Sequence, residues 1–301
     1  MGRKESLAML DAAYDAGVRH FDVAPMYGYG QAEACLGEFL ARHPGQVTVT
    51  TKFGIPPEES QSLKAMLRGM ARPVLKMLPG LKKKLQGAAA AASGPAPKLD
   101  FSVEKARASL EHSLAALKVE RIDVWLLHEA AAGDLTDDRL LQMMDEMVAA
   151  GKIGTFGVGT GVEKIPALLR ERPAYCRTVQ HEWSVMDALI QPGESFRIHH
   201  RALTENFRAL HEALRSDAAR CRRWSDYCGV DVGDAETLAR LMLKASLACN
   251  PESVILFSSK RPEHMRSNVA VVDEGSLEEP ALRLYSLVRA EVAESANGAA
   301  A

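Results

Sequence analysis

Short β-branched runs alternate along this chain with stretches whose apolar residues recur every three or four positions. The first kind predicts strands at VRHFDV (18–23), VTVTTK (47–52), RIDVWLLH (121–128), KIGTFGVG (152–159), YCRTVQ (175–180), SFRIHH (195–200) and SVILFS (253–258). The second predicts amphipathic helices such as EACLGEFLARH, VEKARASLEHSLAALKV and DRLLQMMDEMVAAG. Leu36, Phe39 and Leu40 fall on one face, as do Leu110, Leu114 and Leu117. Gly151 follows the helix of residues 137–150 as a C-terminal cap.

Such alternation makes an α/β fold around a parallel sheet, either open and doubly wound or closed into a barrel. Two features favour the barrel. No G-x-G-x-x-G follows the first strand, so the dinucleotide turn of the open sheet is missing. Polar residues also recur at strand C-termini, at Asp22, Lys52, His128, Gln180, His200 and Ser258, and a barrel gathers those ends on one face. A closed (β/α)8 TIM barrel needs eight strands, whereas seven runs are visible and a helical pattern (6–17) precedes the first. The expectation is one barrel domain over residues 1–301 whose N-terminal first strand is missing, leaving two unpaired edges unless another segment fills the gap.

Two segments interrupt the pattern. The stretch at about 55–100 is basic, broken by Pro73 and Pro79, and ends in AAAAASGPAP, the composition of a linker. Following the Lys52 strand, it reads as a solvated insertion or as a basic lid over the barrel mouth. A second large loop is expected at about 201–234, where Arg220, Arg222, Arg223 and Trp224 cluster; a solvated helix fits the same stretch.

Composition adds limits. Of 301 residues, 47% are hydrophobic and 25% charged, as in ordinary globular proteins. The net charge of -2 gives no reason to expect nucleic acid. No apolar run reaches the length of a membrane span, and no signal-peptide core opens the chain. Five scattered cysteines without a C-x-x-C pair suit a reducing, cytoplasmic setting, and no metal spacing is present.

Taken singly, the polar strand ends have plain explanations. Asp22 could cap a turn, Lys52 could be a surface lysine, and His128 a hydrogen-bonded core histidine. Their surroundings resemble the aldo-keto reductases. FDVAPMYG is similar to that family's D-T-A-x-x-Y-G segment, VTTKFG to its lysine strand, and IDVWLLH to its histidine strand. QHEWSVMD and SSKRPEHMRSN resemble its Q-x-E-x-S-x-x-D and closing phosphate segments.

The resemblance implies a barrel that uses NADPH and a tetrad of Asp22, Tyr27, Lys52 and His128. Tyr27 would supply the proton in carbonyl reduction, Lys52 would lower its pKa, Asp22 would anchor Lys52, and His128 would orient the substrate oxygen. It also implies cofactor contacts from Thr160, Gln180, Ser258, Ser259, Lys260, Arg261 and Asn268. Gly159-Thr160 replaces the family's usual Ser-Asn, and His199 or His200 stands where an aromatic residue usually stacks on nicotinamide; alternation allows only one of them inward. The expected function is NADPH-dependent reduction of a small aldehyde or ketone, with a sugar or other polar carbonyl as substrate class. The alternative is a reductase-like barrel that binds or senses the cofactor without turnover.

Overall fold

The computed structural model describes residues 2–55, 99–190 and 193–299. Nearly all of the stretch expected as an insertion lies outside them, and with it the lid and linker readings. In chain order the elements are α1 (Arg3–Asp15), β1 (His20–Asp22), α2 (Ala32–Leu40), β2 (Thr48–Phe53), α3 (Val103–Leu117), β3 (Ile122–His128), α4 (Asp138–Ala149), β4 (Ile153–Gly159), α5 (Ile165–Glu171) and β5 (Thr178–Glu182). They continue with β6 (Phe196–His200), α6 (Thr204–Ser216), α7 (Ala218–Cys228), α8 (Ala235–Cys249), β7 (Ser253–Ile255), α9 (Pro262–Ala270) and α10 (Glu278–Ala299).

All seven strands pair in chain order, and every pairing is parallel. The sheet curls. In a flat sheet β1 and β5, four neighbours apart, would lie about 19 Å from each other. Instead the Gln180 side chain on β5 donates to Asp22 on β1 at 2.7 Å. Among the described residues this is a (β/α)8 barrel lacking one strand. Among the described residues β1 and β7 end the sheet, each with a neighbour on one side only, and each is three residues long. The six-residue patterns at 18–23 and 253–258 therefore shrink to the portion that one neighbour can pair.

Pleating sorts the strand residues by face. Val124, Leu126 and Ile198 point into the barrel with Val254 and Leu256. Phe21, Trp125, Leu127, Phe156, Val158 and Val179 point out, joining the cores of α2–α5 in one apolar cluster. Gly157 marks the tightest strand contact: a Cβ there would stand 1.8 Å from the Thr178 carbonyl oxygen, so only glycine lets β4 and β5 approach. Asp137, Asp217 and Asp234 start α4, α7 and α8 by accepting from backbone N–H groups of the first turn. Gly151 follows α4 with φ +72°, the left-handed conformation that ends a helix cheaply.

The expected loop at 201–234 is largely helical, being occupied by α6 and α7. Trp224 and Cys228 are buried with Leu238, Leu241 and Leu284 in a second apolar cluster beneath α8 and α10. Arg220 lies 4.6 Å over the Trp224 ring and pairs with Glu291. The apolar face of this segment supports the barrel wall, and its charges form the solvated side of the helices.

Behind the sheet, His181 and His199 stack edge to face, ring centroids 4.7 Å apart. Both are buried, and among the described residues neither ring nitrogen of His199 has a partner, nor does Nε2 of His181. Burial, helped by nearby His181 and Arg197, pushes His199 down to about 3. An unfolded histidine titrates near 6.5. Between those values the unfolded chain binds a proton that the folded chain refuses, so stability falls as pH drops from about 6.5 toward 3. His199→Leu is expected to flatten that decline by about 1 kcal/mol per pH unit in urea unfolding measured from pH 7 to 4. An unchanged slope would show that His199 does not drive it.

Candidate active site

The polar strand ends converge at the C-terminal mouth, because inward positions on neighbouring strands bring Asp22, Lys52, His128, Gly159, Gln180 and His200 to similar height. They line a cavity of about 1330 Å³. It runs from the mouth into the gap between β1 and β7, past Leu10 and Ala13 of α1 and Val254 and Ile255 of β7. A short turn of 3-10 helix, Tyr27–Gly30, sets Tyr27 above this opening.

Lys52 is 2% exposed and is bonded to the Asp22 carboxylate. Its Nζ also donates to the Val23 carbonyl at 3.3 Å. Burial lowers the Lys52 pKa, and the Asp22 charge and hydrogen bond oppose that shift. Lys52 Nζ lies 5.4 Å from the centre of the Tyr27 ring, and the Tyr27 and His128 rings are 6.1 Å apart, edge to face. All four residues of the expected tetrad thus share one site.

Their electrostatics differ from the simple expectation. Tyr27 keeps 40% of its surface, yet its pKa is pushed up to about 12, first by desolvation against the cavity walls and then by the charges of Asp22 and Glu129. The expected lowering by Lys52 is not found. Lys52 directs its ammonium at Asp22, and that carboxylate acts on Tyr27 with the opposite sign. Burial and the Lys52 charge push His128 down to about 4, which leaves a neutral imidazole able to donate one N–H.

The remaining candidates divide. Thr160 is buried, lines the cavity, and among the described residues has no partner for its Oγ1. Gln180 is buried with its Nε2 on Asp22 Oδ2. Of the two histidines, His200 faces the cavity, and His199 packs with His181 and Trp183 on the opposite face of the sheet. Ser258 and Ser259, just ahead of α9, and Asn268 within it also line the cavity. Ser259 Oγ bridges the backbone of Arg261, accepting from its N–H at 3.1 Å and donating to its carbonyl at 2.9 Å. Lys260 and Arg261 are exposed and do not line the cavity.

Sequence patterning missed Glu129 and His20. Glu129 follows His128 with φ +61°, turns the chain out of β3, and donates its N–H to the Gly159 carbonyl at 2.7 Å. Its only signal is an acid immediately after a strand end. His20 has its ring between the Thr48 and Thr50 hydroxyls at 2.8 and 3.0 Å. Its inward position follows from period-two alternation with Asp22.

A bound dinucleotide is compatible with these residues. One cavity connects the tetrad to Ser258, Ser259 and Asn268, and among the described residues no partner holds the Thr160 hydroxyl that lines it. Among the described residues, no group of three potential metal ligands forms, and no helix is long and apolar enough to cross a membrane.

Comparisons with known proteins agree with this geometry. The chain is 27% identical over 199 residues to pyridoxal 4-dehydrogenase of Microbacterium luteolum, covering 62% of this chain and 55% of that one. It is 30% identical over 167 residues to D-threo-aldose 1-dehydrogenase of a Pseudomonas species, covering 52% and 44%. The chain thus spans about half the length of these curated relatives. Its fold is similar to the holo form of an aldo-keto reductase from Bacillus halodurans, with TM-score 0.66, 15% identity, and 94% and 88% of the chains covered. It is also similar to an aldo-keto reductase from Klebsiella pneumoniae in complex with NADPH, with TM-score 0.60, 21% identity, and 94% and 85% covered. The sequence profile of the Aldo/keto reductase family matches residues 1–209, and with a strand-poor barrel whose mouth gathers Asp22, Tyr27, Lys52 and His128, this chain belongs to that family.

Proposed function

We propose that this chain is an NADPH-dependent oxidoreductase that reduces a small aldehyde or ketone to an alcohol. The observation that carries the reading is the Lys52–Asp22 ion pair buried directly beside a protonated Tyr27 and a neutral His128. Bound NADPH would supply the hydride. Every other requirement falls to side chains at the mouth.

His128, neutral and largely enclosed, donates its N–H to the substrate oxygen and holds it toward Tyr27. As negative charge grows on that oxygen, Tyr27 passes it the phenolic proton. A tyrosine raised to about 12 is a weak acid, but an alkoxide is a far stronger base than a phenolate, so the transfer runs downhill. The Lys52 ammonium, fixed by Asp22, lies 5.4 Å from the centre of the Tyr27 ring and so keeps a cation near the phenolate that remains, against the opposing charge of Asp22. In the opposite direction Tyr27 would have to ionise first, which its raised pKa opposes. The two directions therefore draw on opposite protonation states of Tyr27 and depend oppositely on pH.

Thr160 Oγ1 and Gln180 Oε1 are suited to hold the nicotinamide carboxamide, and His200 is suited to stack beside the ring. Ser258, Ser259 and Asn268, with the exposed Lys260 and Arg261, are suited to the phosphates and adenine. A polar carbonyl compound, sugar or pyridoxal-like, suits a mouth rich in ionisable groups, and the names of the two curated relatives support that class.

The test uses the buried Trp125, Trp183 and Trp224. Titration with NADPH is expected to quench their emission and transfer energy to the nicotinamide with a micromolar dissociation constant, on the order of 1–100 μM. A screen of aldehydes should then show NADPH consumption. Binding without consumption of any carbonyl would favour a cofactor-sensing barrel, and absence of both would sink the proposal.

A further inference from the structure

We propose that Gln180 is a positioning residue for Asp22, clamping the carboxylate from across the barrel so that its other oxygen stays on Lys52. The inference rests on the carbonyl-reduction reading and adds to it a fifth side chain that acts through the tetrad.

The geometry is specific. Asp22 divides its two oxygens between two donors, with Lys52 Nζ on Oδ1 and Gln180 Nε2 on Oδ2 at 2.7 Å. Gln180 is 3% exposed, and its carboxamide crosses the barrel interior from β5 to β1. A hydrogen bond to a charged acceptor in such a setting is stronger than a neutral one. It also selects one rotamer of Asp22, since turning the carboxylate away from Lys52 would break both bonds together.

The neighbouring strand makes room for this clamp. A Cβ at Gly159 would lie 3.2 Å from Gln180 Oε1 and 3.6 Å from Lys52 Cε. Glycine at 159 lets the carboxamide lie across the barrel, where a side chain would crowd it. Oε1 then lies on the side of Gly159, where both residues line the cavity, while Nε2 serves Asp22. One carboxamide therefore joins the cofactor end of the cavity to the Asp22–Lys52 pair.

Gln180→Met conserves shape and removes both polar atoms. Two measurements separate positioning from other roles. The first uses no cofactor. Thermal midpoints are compared for the parent chain, Gln180→Met, Asp22→Ala and the double variant. The clamp requires Gln180→Met to lower the midpoint by about 3–6 °C in the parent and by nothing, or to raise it, in the Asp22→Ala background. Equal losses in both backgrounds would overturn it.

The second measurement is the pH profile of kcat in Gln180→Met alone, which stands if Asp22→Ala does not fold. A loosened Asp22 supports the Lys52 charge less well, so the alkaline limb should move to lower pH by about half a unit or more. An alkaline limb that stays in place while the NADPH dissociation constant rises would make Gln180 a cofactor ligand only, and would equally overturn the proposal. A chain that reduces no carbonyl fails the functional reading, and the unfolding cycle still decides the role of Gln180.

Discussion

Tyr27→Phe is expected to reduce the rate of carbonyl reduction by about 10²–10⁴-fold while leaving NADPH binding within about twofold of the parent. The substitution removes one oxygen and nothing else. Tyr27 is 40% exposed on a surface turn, and no protein acceptor holds its hydroxyl among the described residues, so its loss leaves no buried orphan and little change in stability. What disappears, on the proposed mechanism, is the proton donor above the cavity. The kinetic form of the loss is informative. A group used only as charge builds on the substrate oxygen should lower kcat and kcat/KM together. A fall confined to KM would make Tyr27 a binding contact.

The parent profile supplies an independent check on the same residue. With Tyr27 near 12, the donor stays protonated through neutral and alkaline pH, so it imposes no alkaline limb on reduction below about pH 11. Alcohol oxidation would need the ionised tyrosine, and its rate should climb about tenfold per pH unit over the same range. Equal pH profiles in the two directions would remove Tyr27 from the acid–base role.

Much of this site was legible in the sequence because strand periodicity carries position. Asp22, Lys52, His128 and Gln180 each end a β-branched run, and parallel strands in register must bring such ends to one face. Seven separate runs likewise gave the strand count. What escaped depends on contacts made across the barrel. The partner of Gln180 lies 158 residues away, and no local pattern encodes that reach. The direction of the Tyr27 shift was misjudged because spacing reveals the presence of Lys52 but not where its ammonium points. The stretch at about 201–234 left loop and solvated helix open, and the burial of Leu210, Leu214, Trp224 and Cys228 against α8 and α10 decides for helix. His200 rather than His199 lines the cavity, a choice that needed the register of β6 against β5.

Lys52→Met should nearly abolish turnover and cost about 3–5 kcal/mol of stability, and the pairing of those effects identifies what the lysine does. Methionine fills the same slot, so packing is conserved. Asp22, however, keeps an unneutralised charge with Gln180 as its remaining partner, its side chain only 13% exposed. Removing one member of a buried pair is expensive for that reason, while removing both charges is not. The double variant Lys52→Met with Asp22→Asn should therefore regain most of the lost stability, because the substituted carboxamide still accepts from Gln180 without carrying charge. It should regain no activity, since the phenolate left by proton transfer would face no cation. Urea unfolding and single-turnover reduction, measured on the parent, the two single variants and the double variant, separate the two outcomes. Activity that returned together with stability would mean that Lys52 and Asp22 matter only as a structural pair, and that Tyr27 transfers its proton without an ammonium beside it.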